Sequence, residues 1–286
     1  NLPDVAVVPS EHFNTVLYTG NASTNAITGV GFQPDFVWTK NREDTYFHTL
    51  YDAVRGTGNT KAIHSNDTAA EGTHSAHNNL VSFDSNGFTL GATSSTSVQN
   101  YDDHSYVSWN WKAPTSSNLT AAGARSIATT SKVNVDAKFE IITYTGSGTA
   151  GNTIGHSLGK APDLMIGRNR DDSDNWWVYH NPEVNEAYKI HLNDTAAKVS
   201  NSTTLNNTAP TSSIITLGND NRSNANGDDY LIYAFCSVDG YSAVGSYIGN
   251  GSTDGTFVYT GFRPAFIMVK KTDAAENWVM IDNKRH

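Results

Sequence analysis

A chain of 286 residues with a net charge of -9 and a pI near 5.5 has no basic run, which argues against a nucleic-acid surface, since such affinity comes from clustered Lys and Arg. Its single cysteine, Cys236, rules out an intramolecular disulfide, and no stretch approaches the ~20 apolar residues of a membrane span. Charged residues make up 16% and aromatics 10%, amid abundant Ser, Thr, Asn and Gly, the profile of an extracellular or virion-surface β-protein.

Residues 1–12 read as an N-terminal arm. After them the chain runs through FNTVLYTGNAS at 13, GVGFQPDFVWTKNRE at 29, YFHTLYDAVRG at 46, HSNDTAAE at 64, NNLVSFDSNGFTLGAT at 78 and HSYVSWNWKAP at 104. DFVWTKN, LVSFDSN, FTLGATS and SYVSWNW alternate large apolar with small or polar residues and so predict short strands, with Trp109 and Trp111 on one face and Asn110 on the other. Only HTLYDAVRG has a trace of helical period. The stretch 114–137, rich in Ser, Thr and Ala, lacks alternation until its end and is predicted as a linker.

The order then repeats: FEIITYTGSGT at 139, HSLGKAPDLMIGRNRDD at 156, NWWVYHNPE at 175, HLNDTAAK at 191, TSSIITLGNDN at 211 and DDYLIYAFCSVDG at 228. A third copy opens with YSAVGSYIGNGST at 241 and FVYTGFRPAFIMVKKTD at 257, then NWVMIDNKRH at 277. A fixed period with matched anchors is the mark of repeated units. The expected organisation is all-β, of tandem β-sandwich units (jelly-roll or concanavalin-like) with little helix: unit one 13–113, unit two 138–240, and a partial third unit 241–286 that continues or is completed by a neighbour. The echoed His-x-Asn-Asp-Thr-Ala-Ala lies at the same place in two units. It is read as a turn in which Asp67 and Asp194 bond to nearby backbone N–H groups while Ala69 and Ala196 pack inward.

Each candidate site competes with an ordinary structural role for the same residues. Glycoside hydrolysis needs two facing carboxylates; Glu71 aligns with Lys198 and Glu43 with Asp171, so no acid pair is duplicated and no enzyme is expected. His64, His74, His77 and His104 lack a recognised metal spacing. Calcium is the cofactor that best suits the polar loops NYDDHS, DDSDN and NDNRSNANGDD, with Asp220, Asp228 and Asp229 as its candidate ligands, although such loops are also ordinary turn chemistry. Trp176 and Trp177 are adjacent in a strand, so one ring is expected to face outward, against a glycan or a neighbouring subunit, or else beneath the linker.

The ordered set YTGN, GFQPDFVWTKNR, LYDAVRG, NDTAAE, SFDSNGFTLG and YVSWNWKA resembles an uncharacterised repeat domain of marine tailed-phage virion proteins, and GFRPAFIMVKKTD with NWVMIDNKRH resembles its third repeat. The resemblance implies a non-enzymatic virion structural protein, a tail fibre, appendage or capsid decoration on the virion surface. Its partners would be itself and other virion proteins. A lectin-like adhesion module that grips a host-surface glycan is the alternative, and neither reading involves nucleic acid or membrane insertion.

Overall fold

The computed structural model describes residues 7–77, 79–92 and 98–285, which leaves residues 1–6 of the expected arm and the His77 side chain outside the described residues. The chain is essentially all-β. Among the described residues the one α-helix, α1, is the four-residue Asn221–Asn224, and no helix is long and apolar enough to cross a membrane.

Unit one contributes β1 (Phe13–Thr19), β2 (Asn25–Thr28), β3 (Phe36–Asn41), β4 (Thr49–Asp52), β5 (Ile63–His64), β6 (Leu80–Asp84), β7 (Gly87–Leu90) and β8 (Ser105–Trp111). They form a five-stranded antiparallel sheet in the order β1-β8-β3-β4-β5 and a three-stranded one in the order β2-β7-β6. HTLYDAVRG is a strand followed by a turn. Asp52 fixes that turn by accepting from the backbone N–H groups of Val54 (3.1 Å) and Arg55 (2.9 Å), an option that competes with helix.

The expected linker also holds strands, β9 (Thr115–Leu119) and β10 (Thr129–Asn134). Unit two follows with β11 (Phe139–Thr145), β12 (Thr153–Gly155), β13 (Leu164–Asn169), β14 (Trp177–His180), β15 (Tyr188–His191), β16 (Val199–Ser200), β17 (Ile214–Thr216) and β18 (Asp229–Phe235). The large sheet runs β16-β15-β14-β13-β18-β11-β10-β9, so its middle repeats the order of unit one and the linker strands extend one edge; β12 pairs with β17. The hairpin of β19 (Phe266–Val269) and β20 (Val279–Asp282) belongs to the third unit and matches β3–β4 and β13–β14. Tyrosine pairs mark the duplicated register: Tyr18 stacks on Tyr106 at 5.0 Å and Tyr144 on Tyr230 at 5.1 Å.

Each large sheet is apolar on both faces. In unit one, Val37, Tyr51 and Ala62 pack toward the small sheet with Ile27, Leu80 and Phe88. Phe36, Trp38, Leu50, Val107, Trp109 and Trp111 point the other way and meet Phe139, Ile141, Ile166, Val178, Leu231 and Tyr233 of unit two in one common core. The Phe36 and Tyr233 rings stack at 4.1 Å, and Phe266 joins from the third unit at 5.8 Å from both Trp109 and Trp111. Burying an aromatic or aliphatic side chain of this size contributes about 1.5–3 kcal/mol, so the inter-unit core is a principal source of stability.

The linker strands escaped periodicity because their contacts are polar. Ser131 Oγ lies 2.7 Å from both Ser117 O and Glu140 Oε1, and Glu140 Oε2 accepts from Ser157 N at 2.7 Å. One hydroxyl proton serves two acceptors poorly, a conflict that protonation of Glu140 relieves by letting the carboxyl donate to Ser131 instead. Burial pushes the Glu140 carboxyl up to about 7, against the hydrogen bonds from Ser131 and Ser157, and the residue is fully buried.

Because the folded chain then keeps a proton that the unfolded chain releases near its ordinary value of 4.5, stability falls as pH rises from there toward 7 and stays low above it. Glu140→Gln copies the protonated geometry. It should leave stability near pH 4.5 almost unchanged and raise it at pH 8 by up to about 3 kcal/mol, as measured by urea unfolding at the two pH values. An equal effect at both would show that Glu140 is not protonated in the fold.

Candidate functional site

The echoed heptapeptide turns out to be where the units grip one another. Within its own unit, Asn66 Oδ1 accepts from His48 N at 2.9 Å and Asn193 Oδ1 accepts from Trp176 N at 2.8 Å, which ties each turn to the start of the fourth strand. Asp67 and Asp194 do bond to neighbouring backbone N–H groups, at Thr68 (2.7 Å) and Ala196 (2.9 Å). The alanines differ from expectation, Ala69 being half-buried and Ala196 exposed. The turn is held open so that its carbonyls face the next unit.

Arg168 on β13 reads those carbonyls. Its Nη1 donates to Asp67 O (3.2 Å) and to Asp174 O (2.6 Å), and its Nη2 donates to Thr68 O (2.6 Å) and to Ala69 O. The side chain is fully buried, lying over the Trp176 ring at 5.4 Å, and burial pulls the guanidinium down to about 10, still charged at neutral pH. Trp176 Nε1 donates to His64 O at 2.8 Å. Glu71, just past the turn, takes Arg55 of its own unit at 3.3 Å and Arg170 of unit two at 2.6 Å.

The same clasp recurs between units two and three. Lys270, in the place of Arg168, donates to Thr195 O at 3.2 Å, and Trp278, in the place of Trp176, donates to His191 O at 2.8 Å. Where Lys198 replaces Glu71 the side-chain pair is lost, but a backbone bond to Thr272 O (2.8 Å) remains beside the clasp, as Glu71 N to Arg170 O (2.9 Å) does in the first.

A second, buried contact runs between the sheets: Tyr233 Oη donates to Asp52 Oδ2 (2.8 Å), which Arg55 holds at 2.6 Å. Its counterpart joins unit three to unit one, with Trp109 Nε1 donating to Asp282 Oδ2 (3.1 Å), itself held by Arg285 at 2.6 Å. The three units therefore touch pairwise, head to tail, as a ring.

The structure relocates the candidate ligand residues. Trp176 and Trp177 are both fully buried, so neither offers an outward platform. Trp176 lies under unit one, not under the linker, while Trp177 packs in the unit-two core and donates to Arg222 O at 3.0 Å. Room for the second ring comes from Gly167, where a Cβ would stand 2.1 Å from it. A glycine opposite a tryptophan across two strands was the readable sign.

Asp220, Asp228 and Asp229 do not converge. Asp220 caps α1, accepting from Arg222 N at 3.0 Å and Thr204 Oγ1 at 3.2 Å; burial would raise its carboxyl, but the Arg222 amide and the Arg222 and Lys189 charges hold it low. Asp228 accepts from Asn169 (2.8 Å) and Asp229 from Thr145 (2.9 Å). Among the described residues no three acidic, histidine or cysteine side chains are grouped to hold a metal. His64 and His74 do meet, at 5.2 Å, with His74 bound to Asp67 at 2.8 Å, whereas His104 lies against Asn41 at 3.0 Å. The aligned acids Glu43 and Asp171 share one task, accepting the backbone N–H of Ser105 (2.8 Å) and Asp229 (2.6 Å).

Sequence reasoning missed Arg168, although Lys40, Arg168 and Lys270 occupy one aligned position in an otherwise apolar strand. Removing its guanidinium leaves three carbonyls of unit one without their donor, so Arg168→Ala should cost roughly 3–5 kcal/mol in urea unfolding, with Arg168→Lys recovering much of the loss because Lys270 performs the same task. A cost below about 1 kcal/mol for the alanine variant would refute the clasp.

No curated protein and no solved structure matches the chain. A family model described as a domain of unknown function, DUF7483, matches residues 8–286, and the chain belongs to that family.

Proposed function

We propose that the chain is a non-enzymatic structural protein of a phage virion surface, an appendage, fibre or capsid decoration, built of tandem β-sandwich units of the jelly-roll or concanavalin-like kind. The observation that carries this reading is the use to which the repeat puts its most distinctive polar residues. The duplicated turn, the buried Arg168 and the Asp52–Arg55 pair all hold unit to unit, which is the work of an assembly part. The low charge content and the resemblance of the ordered motifs to marine phage repeats support it. Its partners are copies of itself and other virion proteins.

A lectin-like role would need a platform other than Trp176 and Trp177, since both are buried. Mass spectrometry of gradient-purified particles should find this polypeptide at structural stoichiometry. Its absence from particles, with presence in the lysate, would overturn the proposal.

A further inference from the structure

The ring holds two clasps among three units, and unit one carries the parts of another. Lys40 stands where Arg168 and Lys270 stand, and His48 stands where Trp176 and Trp278 stand. Both line a cleft of about 610 Å3 at the meeting of the units. Lys40 Nζ folds back on its own unit, donating to Asn41 O and Asp44 O at 2.7 Å each, and is only half-buried where Arg168 is fully buried. His48 Nδ1 accepts from Trp38 Nε1 at 3.0 Å, so the proton of the neutral ring sits on Nε2, the counterpart of the indole N–H in the other two units. Burial, pulling the His48 pKa to about 3, keeps that ring neutral.

An open sheet edge accompanies this seat. β3 lies between β8 and β4, and β13 between β18 and β14, but among the described residues β19 pairs only with β20. Its other side opens onto an apolar cavity of about 1220 Å3 walled by Phe36, Trp111, Phe139 and Phe235. Tyr247, aligned with the stacked Tyr18 and Tyr144, is 53% exposed. An unpaired edge beside aromatic surface is a template for strand addition.

We propose that the cleft and the open edge form one interaction surface, shaped for a third turn of the His-x-Asn-Asp-Thr-Ala-Ala type together with the last strand of its unit. Lys40 would take the turn's carbonyls, His48 Nε2 the carbonyl of its histidine, and β19 the strand. A second copy of this chain is a poor occupant, because HSNDTAA is already held by Arg168 and HLNDTAA by Lys270, and either clasp would have to open first. The occupant is a repeat segment of this same kind whose turn no clasp already holds. The inference rests on the ring contacts and is independent of the virion reading.

Arg285 corresponds to Arg55, so joining a copy of residues 57–113 after His286 supplies this occupant in register. The extended protein and the 1–286 chain are compared by acylation of Lys40 with an N-hydroxysuccinimide ester, by Tm and by sedimentation. The expected result is loss of Lys40 labelling and a rise in Tm in the extended protein, the rise being smaller in a Lys40→Ala background. Equal labelling of both proteins overturns the proposal, as does protection of Lys40 in an unextended chain that sediments as a dimer. Should the extension fail to fold, a peptide of residues 104–113 added to the unaltered chain should slow hydrogen exchange at Phe266–Val269, and no slowing at saturating peptide is likewise fatal.

Discussion

A β-sheet that is apolar on both faces needs two covers, and this requirement governs the molecule. The small sheet β2-β7-β6 covers one face of the unit-one sheet, leaving Phe36, Trp38, Trp109 and Trp111 to be buried by something else. Unit two has the same deficit in Phe139, Ile141 and Tyr233. The units settle it by giving each other their second faces, so none of the large sheets would be well solvated alone. Inter-unit packing is thus part of the fold itself.

Apolar packing of this kind is non-directional and would tolerate several crossing angles. The polar contacts at the ring's seams select one. Fully buried Arg168 spreads over three successive carbonyls of a turn, which only one placement of the neighbouring unit can satisfy. Asp52, Arg55 and Tyr233 act likewise deep between the sheets. Buried charges cost much of what they gain in net stability, and specifying register is their best-attested use.

Much of this was legible in the residues. The repeat, the strands DFVWTKN and SYVSWNW, the scarcity of helix and the capping role of Asp67 and Asp194 all follow from local pattern and turn chemistry. The burial of Trp176 was not legible, because its cover comes from residues more than a hundred positions earlier. Nor were β9 and β10, whose Ser and Thr residues make hydrogen bonds that leave no hydrophobic period. The echoed turn was placed correctly in the fold but its purpose was hidden, since what it offers are main-chain carbonyls, identical in every residue type. Only the aligned cations at 40, 168 and 270 hinted at a reader.

The clasps also have a polarity in time. In each, the turn lies earlier in the chain than the cation and indole that grip it: residues 64–69 before Arg168 and Trp176, residues 191–195 before Lys270 and Trp278. Synthesis from the N-terminus therefore presents every receptor before its ligand, and domains that fold as they emerge can dock each newcomer onto a finished neighbour. The contact of Asp282 with Trp109, 173 residues apart, must wait for the β19–β20 hairpin of the third unit. The ring is closed by its latest arrival, which gives the ribosome, rather than a search among alternatives, the task of setting the order in which the units join.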